Sequence, residues 1–373
     1  MTKHGILKLM IMLAILGTSI GISSDGEAIN PIDIQKILDK TVDHKKVFGV
    51  VLNLSLGSGE SWSGASGNLT SDDPYFIASV TKLYTTAIIF MLANENQIDL
   101  DDPISQYLSP NVVEGLHVFK NRDYSGNITI RHLLSHTSGL PDYFEQEYKT
   151  KTSLKDELVS GDDRSWTFED AIQISKEMQP HFAPGQQGKA FYSDTNFQLL
   201  GRIVENVSGV AYEQALEQYI VEPLALNHTY LYPHGSDKDP SLFYYKDKAL
   251  SLPLAMASFG PDGGIVSTSE ESMIFLRAFF SGFLFPKDYL NEMQSWNKIF
   301  FPMQYGLGMM RFKLPRIFSP FKATPEFIGH VGSSGSFAYY CPDKDVYFTG
   351  TVNQINNPGL SSKLLMKIHA SLK

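Results

Sequence analysis

The run SVTKLYTTAIIFMLAN, residues 79–94, constrains the fold of this chain more than any other stretch. It is apolar on nearly every side, and a helix without a polar stripe is stable only when protein surrounds it. It therefore predicts a central helix wrapped by other layers. Its mouth carries Ser79 and Lys82, three positions apart and so on one helical face. A polar pair there either caps and solvates the first turn or forms a reactive pair.

The rest of the chain must supply the wrapping. Its 373 residues exceed the ~250–300 at which single cores stop growing, so one large two-lobed domain or two domains is expected. Hydrophobic residues make up 43% of the chain and charged residues 19%, enough apolar surface for a real core. The net charge of -9 and the lack of a long Lys/Arg cluster argue against a nucleic-acid partner. KLPRIFSPFK (313–322) is locally basic but short and mixed with prolines, and reads as a surface loop. The single cysteine, Cys341, excludes an intramolecular disulfide and offers no Cys-based zinc framework. Its strand-like setting predicts a buried structural thiol.

At the N-terminus, Lys3 and Lys8 border an almost wholly apolar run over 9–22. That run suits a signal peptide and falls short of the ~20 apolar residues of a membrane span. Residues 1–28 are expected to be an export signal and 29–373 the mature domain, periplasmic or secreted and without a stable membrane span. An uncleaved anchor is the alternative.

Periodicity then orders the elements. PIDIQKILDKTVDHKK (31–46) reads as a helix opened by Pro31, and VFGVVLNLSL with SWSGASG as a hairpin turning at GSGE. STSEESMIFLRAFFSGF (267–283) predicts a helix with a capping box from Thr268 to Glu271. YGLGMMRF, EFIGHVG, SFAYYCP and DVYFTGTVNQ read as successive strands, and a last helix closes the chain. Both ends thus build an α/β (α+β) lobe with an antiparallel sheet flanked by helices. Residues of approximately 95–260 form an inserted all-α lobe, and a cleft between two such lobes is a common place for a site.

Three segments carry chemistry. A serine hydroxyl needs a base, and Lys82 can be one only if its surroundings favour the neutral amine. The apolar Phe76, Ile77, Val80 and Leu83 predict such surroundings. The second segment is FYSDTNFQLLG from 191, where Tyr192 points at the pair, and Asp194 or Thr195 alternatively serves as a helix N-cap. The third is GHVGSSGSF (329–337), a strand and a turn. It reads either as a hairpin with a partly exposed histidine or as an edge lining a cleft. In the second reading Gly332 admits substrate close to the backbone, and the Ser333 N–H joins that of Ser79 as an oxyanion donor.

These elements, with IRHLLSHTSGLPDY (130–143), GPDGGIVSTSEE and YGLGMM, resemble the serine β-lactamase and penicillin-recognising hydrolase superfamily, in its class C, D,D-peptidase and esterase branch. The resemblance spans most of residues 45–355. It implies that fold, an active site in the cleft, and acyl transfer to Ser79 as nucleophile. Lys82 and Tyr192 would share general-base and general-acid work. His330 would stand where the family's K-T-G begins and lend positive or hydrogen-bonding character. No metal or organic cofactor is implied. The partner would be a small-molecule or peptide substrate, a cell-wall stem peptide or β-lactam among them. His132 and His136, spaced i and i+4, fall inside the family segment and are read as structural rather than metal ligands.

Two positions depart from the pattern. Asp194 stands where the family's Y-x-N has Asn, and an ionised carboxylate only accepts hydrogen bonds. It should repel anionic substrates and pair with Lys82. Val331 stands where a threonine hydroxyl would help hold a substrate carboxylate. Both favour a small amide, ester or D-amino-acid peptide substrate. A D,D-carboxypeptidase or class C-like β-lactamase is the first alternative, and a catalytically silent penicillin-binding or sensing protein the second.

Overall fold

Strand β1 (Gly49–Leu56), GVVLNLSL, is buried along its whole length, which requires cover on both faces of its sheet. It pairs antiparallel with β2 (Ser61–Gly67), Leu52 opposite Gly64, across the expected turn. Its other neighbour comes from the far end of the chain. The other strands of this sheet are β3 (Asn297–Lys298), β4 (Met303–Tyr305), β5 (Met310–Lys313), β6 (Glu326–Val331), β7 (Ser336–Cys341) and β8 (Val346–Thr351). The sheet runs β3-β4-β5-β6-β7-β8-β1-β2, antiparallel throughout, with Leu52 also opposite Gly350. Both ends of the chain thus build one sheet, as the strand patterns predict.

The computed structural model describes residues 28–148, 152–235, 240–315, 317, 324–355, 357 and 359–372. The N-terminal segment before residue 28 and most of the basic loop at 313–322 lie outside the described residues. Among the described residues, no helix is long and apolar enough to cross a membrane.

Five helices position the site. They are α1 (Pro31–Thr41), α2 (Thr81–Asn94), α3 (Asp194–Ser208), α4 (Ser269–Ser281) and α5 (Gly359–Ser371). Helix α1 packs on α5, β1 and β2, and α4 packs on β1, β7 and β8. Helix α2 is buried from Thr81 to Phe90 and again at Leu92, between β6 and α3. The segment between α2 and α4 holds mainly short helices, with two small hairpins that periodicity did not show.

Local differences have identifiable causes. Helix α1 stops at Thr41 rather than 46, because Asp43 Oδ1 accepts the N–H groups of Lys45, Lys46 and Val47 and turns the chain. The capping box at Thr268 is half formed. Thr268 accepts from the Glu271 N–H, but the Glu271 carboxylate instead accepts from the N–H groups of Asn227 and His228 and the Thr229 hydroxyl. YGLGMMRF is a hairpin, not one strand: Tyr305 ends β4 and Met310 begins β5. Its turn glycine, Gly308, has φ 72° and presses on α2, where a Cβ would meet Thr86 Oγ1 at 2.1 Å.

Candidate active site

Ser79 lies in a 3-10 turn, Ala78–Val80, that leads directly into α2. Ala78 has φ 46°, a left-handed conformation that costs a non-glycine residue about 1–2 kcal/mol. The turn after β6 holds it there. Ser334 Oγ donates to Phe76 O at 2.7 Å, and Ser336 Oγ donates to Ile77 O at 2.6 Å. Gly332 is what lets this turn come so close. A Cβ on it would lie 2.5 Å from Ile77 O and 2.2 Å from Ser336 Oγ. The space that a Cβ on Gly332 would fill is therefore taken by the protein's own atoms.

One helical turn on, Lys82 Nζ lies 3.3 Å from Ser79 Oγ. It donates to Asp262 O at 2.5 Å and meets Asp194 Oδ1 at 2.6 Å. The Lys82 side chain is wholly buried, over the rings of Tyr192 and Phe197. Burial alone pushes the ammonium down, but the Asp194 and Asp262 carboxylates outweigh it and hold Lys82 above the usual lysine value. The apolar setting was expected to neutralise this amine; the two carboxylates overturn that, and the resting proton sits on Lys82. The pairing with Asp194 is as expected from the departure at that position.

Tyr192 lies beside the pair, with Lys82 Nζ 5.3 Å from its ring centroid, and lines the same pocket as Ser79. Burial, then the Asp194 charge, keeps the Tyr192 phenol well above its ordinary value, so it rests as a neutral hydroxyl. Its ring leans on His136 at 4.5 Å between centroids. His136 Nδ1 accepts from the Ser193 N–H at 3.1 Å and from Asn196 Nδ2 at 2.9 Å. His132 Nδ1 accepts from the Thr129 N–H at 3.2 Å. Both histidines thus hold backbone in place. Neither Asp194 nor Thr195 caps α3: Ser193 takes the cap position, and Thr195 Oγ1 donates to Pro141 O.

His330 does not supply a positive charge. It is wholly buried, and burial and the Lys82 ammonium push its pKa down to about 3. Its Nδ1 donates to Val331 O at 2.8 Å, so Nε2 accepts from the Tyr305 hydroxyl at 3.0 Å. Both ring nitrogens are thus engaged within the protein, by Tyr305 and by Val331 O.

Ser79 opens onto a pocket of about 60 Å3, shared with Ser333, Tyr192 and Asp194. Phe144, Phe243, Met256, Phe259 and Ile355 form an apolar wall, and Glu145 and Asp262 bring two further carboxyl groups. His330, Val331 and Gly332 do not line it, and no cation does. A larger cavity of about 710 Å3 lies by β3 and β4 under Phe300 and Phe301, away from Ser79. Its size does not make it the reaction site, because none of the nucleophile's partners reaches it.

Sequence reasoning missed Asp262, Tyr305 and Asp142. Asp142 Oδ1 accepts from the Asp194 N–H at 3.2 Å, and Asp262 Oδ2 accepts from the Tyr143 hydroxyl at 2.8 Å. Asp262 sits in GPDGG and Asp142 in LPDY, where an acid beside proline or glycine reads as a turn residue. Among the described residues, Cys341, Asp343 and His369 bring metal-ligating atoms within 4.8 Å of one another. They already bond each other, at 2.7 Å from Cys341 Sγ to Asp343 Oδ1 and 3.1 Å from His369 Nε2 to Asp343 Oδ2. The trio sits at the end of β7 away from Ser336, and Cys341 is buried as expected.

The profile of the beta-lactamase family matches residues 34–370, nearly the whole chain. The chain belongs to the beta-lactamase family. Among curated members, it is 29% identical over 225 residues to the D-alanyl-D-alanine-carboxypeptidase/endopeptidase AmpH of Escherichia coli, covering 60% of this chain and 53% of that one. It thus spans about half the length of the curated relatives it matches. Among solved structures of the family's fold, a D-stereospecific amidohydrolase from Streptomyces sp. is 29% identical and covers 90% of this chain and 98% of its own, at a TM-score of 0.74. D-amino acid amidase from Ochrobactrum anthropi SV3, 23% identical, covers 91% and 99% at 0.73 and shares the fold. The beta-lactamase-family fold expected from the sequence is the fold observed, and the chain is a hydrolase of this family.

Proposed function

We propose that this protein is an exported serine hydrolase that forms an acyl-enzyme on Ser79 and cleaves small amides or esters carrying a free amine beside the scissile bond. The observation that carries the reading is Ser79 Oγ 3.3 Å from Lys82 Nζ, at the mouth of a pocket that Tyr192 also lines. Ser79 attacks the carbonyl carbon, its proton leaves through Lys82, and the neutral Tyr192 hydroxyl is placed to protonate the leaving group. The backbone N–H groups of Ser79 and Ser333 are the proposed oxyanion donors, since both residues border the pocket. Water then attacks the acyl-enzyme along the reverse path.

The pocket's chemistry narrows the substrate. The carboxylates of Asp194 and Glu145 border it and no lining residue is a cation, so a substrate carboxylate is repelled and an ammonium attracted. The apolar wall suits an aromatic or aliphatic side chain. Resemblance to an amidohydrolase described as D-stereospecific supports a D-amino-acid amide or peptide. Export rests on the basic and apolar start of the sequence. A D,D-carboxypeptidase is the second reading, favoured by the likeness to AmpH.

The test is intact-protein mass spectrometry after a fluorophosphonate and, separately, a fluorescent penicillin, with Ser79→Ala as control. Labelling by the fluorophosphonate, lost in Ser79→Ala, is expected. No labelling at all would favour a silent binding protein, and rapid turnover of the penicillin would favour the carboxypeptidase or β-lactamase reading. N-acetylating a D-aminoacyl amide should lower kcat/KM by up to about fivefold, the loss of roughly one exposed charge contact worth about 1 kcal/mol.

A further inference from the structure

Resting on the acyl-enzyme reading, the geometry leaves one question open in the protein itself. Lys82 must accept the Ser79 proton, yet it already carries one of its own, held between Asp194 Oδ1 at 2.6 Å and Asp262 O at 2.5 Å. The carbonyl of Asp262 cannot take that proton. Asp194 Oδ1 can, because it is a buried carboxylate oxygen 2.6 Å from Lys82 Nζ.

We propose that Asp194 is the proton store of this active site, taking a proton from Lys82 as Lys82 takes the proton of Ser79. The pair Lys82-ammonium/Asp194-carboxylate becomes amine/carboxylic acid with no change in net charge. Ser79 Oγ then bonds the carbonyl carbon, the carbonyl electron pair moves to oxygen, and the hydroxyl proton passes to Lys82 Nζ. On collapse, the C–N or C–O bond breaks. The leaving group takes a proton from Tyr192, which regains one from Lys82, which regains its own from Asp194. Atoms and charge balance without an outside acid or base. Asp194 does not touch the reacting atoms, so it positions and charges Lys82.

The surroundings fit this role. Asp194 opens α3, and burial, offset in part by the Lys82 ammonium, raises its carboxyl above the usual range. A raised acceptor makes transfer from Lys82 less uphill. Every other group facing the pair either is shifted toward its neutral form or lies at the rim. Burial pushes Asp262 up to about 8 and Asp142 well above its usual range. His136 and His330 are pushed down by burial, and Tyr143, Tyr192 and Tyr305 are pushed up. At the rim, Glu145 is paired with Lys155 at 2.7 Å. An asparagine at 194 could not hold the proton, since an amide is not basic.

The experiment is the pH profile of kcat/KM for a neutral activated ester, with wild type, Asp194→Asn, Asp194→Glu and Asp262→Asn. In wild type the acid limb is set by protonation of the Asp194 carboxylate, and a plateau follows. In Asp194→Asn, Lys82 reaches its amine form only by losing a proton to solvent. The acid limb should then move to higher pH by at least one unit, rising about tenfold per unit. Asp194→Glu should move it back toward wild type. An unmoved limb in Asp194→Asn, or a limb moved only by Asp262→Asn, overturns the proposal. Asp194→Thr replaces the Asn variant should that one not fold. Fluorophosphonate labelling of wild type separates the two ideas. Labelled protein with an unmoved limb sinks only the role of Asp194, whereas unlabelled wild type sinks the acyl-enzyme reading itself.

Discussion

Lys82 joins Ser79, Asp194 and Asp262 in one polar cluster. Its place three residues after Ser79 fixed the contact, because a helical turn brings i and i+3 together. Its charge state depended on residues far along the chain: the departure at position 194 pointed to the pairing with Asp194, but no local pattern announces the approach of Asp262. Those partners also set the cost of losing it. Lys82→Ala would leave Asp194 buried and uncompensated, and breaking a buried pair from one side costs about 3–5 kcal/mol. We therefore expect Lys82→Ala to lower the urea midpoint as well as activity. The double variant Lys82→Ala/Asp194→Asn should recover most of that stability and none of the activity. Urea denaturation at constant m would show it, and a Lys82→Ala midpoint equal to wild type would contradict the ion pair.

At the scale of elements, the site is held by one contact between a turn and a turn. The segment after β6 reaches the 3-10 turn of Ser79 through Gly332, Ser334 and Ser336, and so keeps Ala78 in its left-handed conformation. Gly332→Ala should push the two apart, since its Cβ would fall 2.5 Å from a backbone oxygen that cannot swing away. Overpacking of this kind costs about 1–3 kcal/mol. Displacement of Ser79 should lower kcat more than it raises KM. A crystal structure or fluorophosphonate labelling rate of the variant would check this, and an unchanged rate would mean that the turn yields. The strands and long helices around this contact were legible because burial imposes a period of 2 or 3.6 on the sequence. The contact itself was not. Glycine and serine in a turn look alike whether they face water or bolt two elements together, and Glu271 likewise reads as a helix cap until the 227–229 loop is seen to occupy it.

For the molecule as a whole, burying so many titratable groups in one cleft makes stability depend on pH in opposite senses. His330, with a folded pKa of about 3, and the likewise depressed His117, His132, His136 and His181 bind fewer protons folded than unfolded. Stability from these groups rises with pH until the unfolded imidazole value near 6.5 is passed, and is constant above it. Asp262, at about 8, and the raised Asp142 and Asp194 do the reverse. Folded, they keep protons that the unfolded chain releases near pH 4, so their contribution is full below that value and is lost as pH rises to the folded pKa. The two slopes oppose each other between about pH 4 and 6.5, and only the carboxyl slope survives above it. We expect the urea midpoint to fall between pH 6.5 and 8. Asp262→Asn, which removes the group titrating at about 8, should flatten that fall. A wild-type midpoint that rises or stays level across this window would mean that Asp262 is ionised in the folded protein. The cleft would then hold two buried negative charges against the one ammonium of Lys82. Stability and activity are coupled here through the same few protons: the carboxyls that make the cleft costly at alkaline pH are the ones that keep Lys82 charged until a substrate arrives.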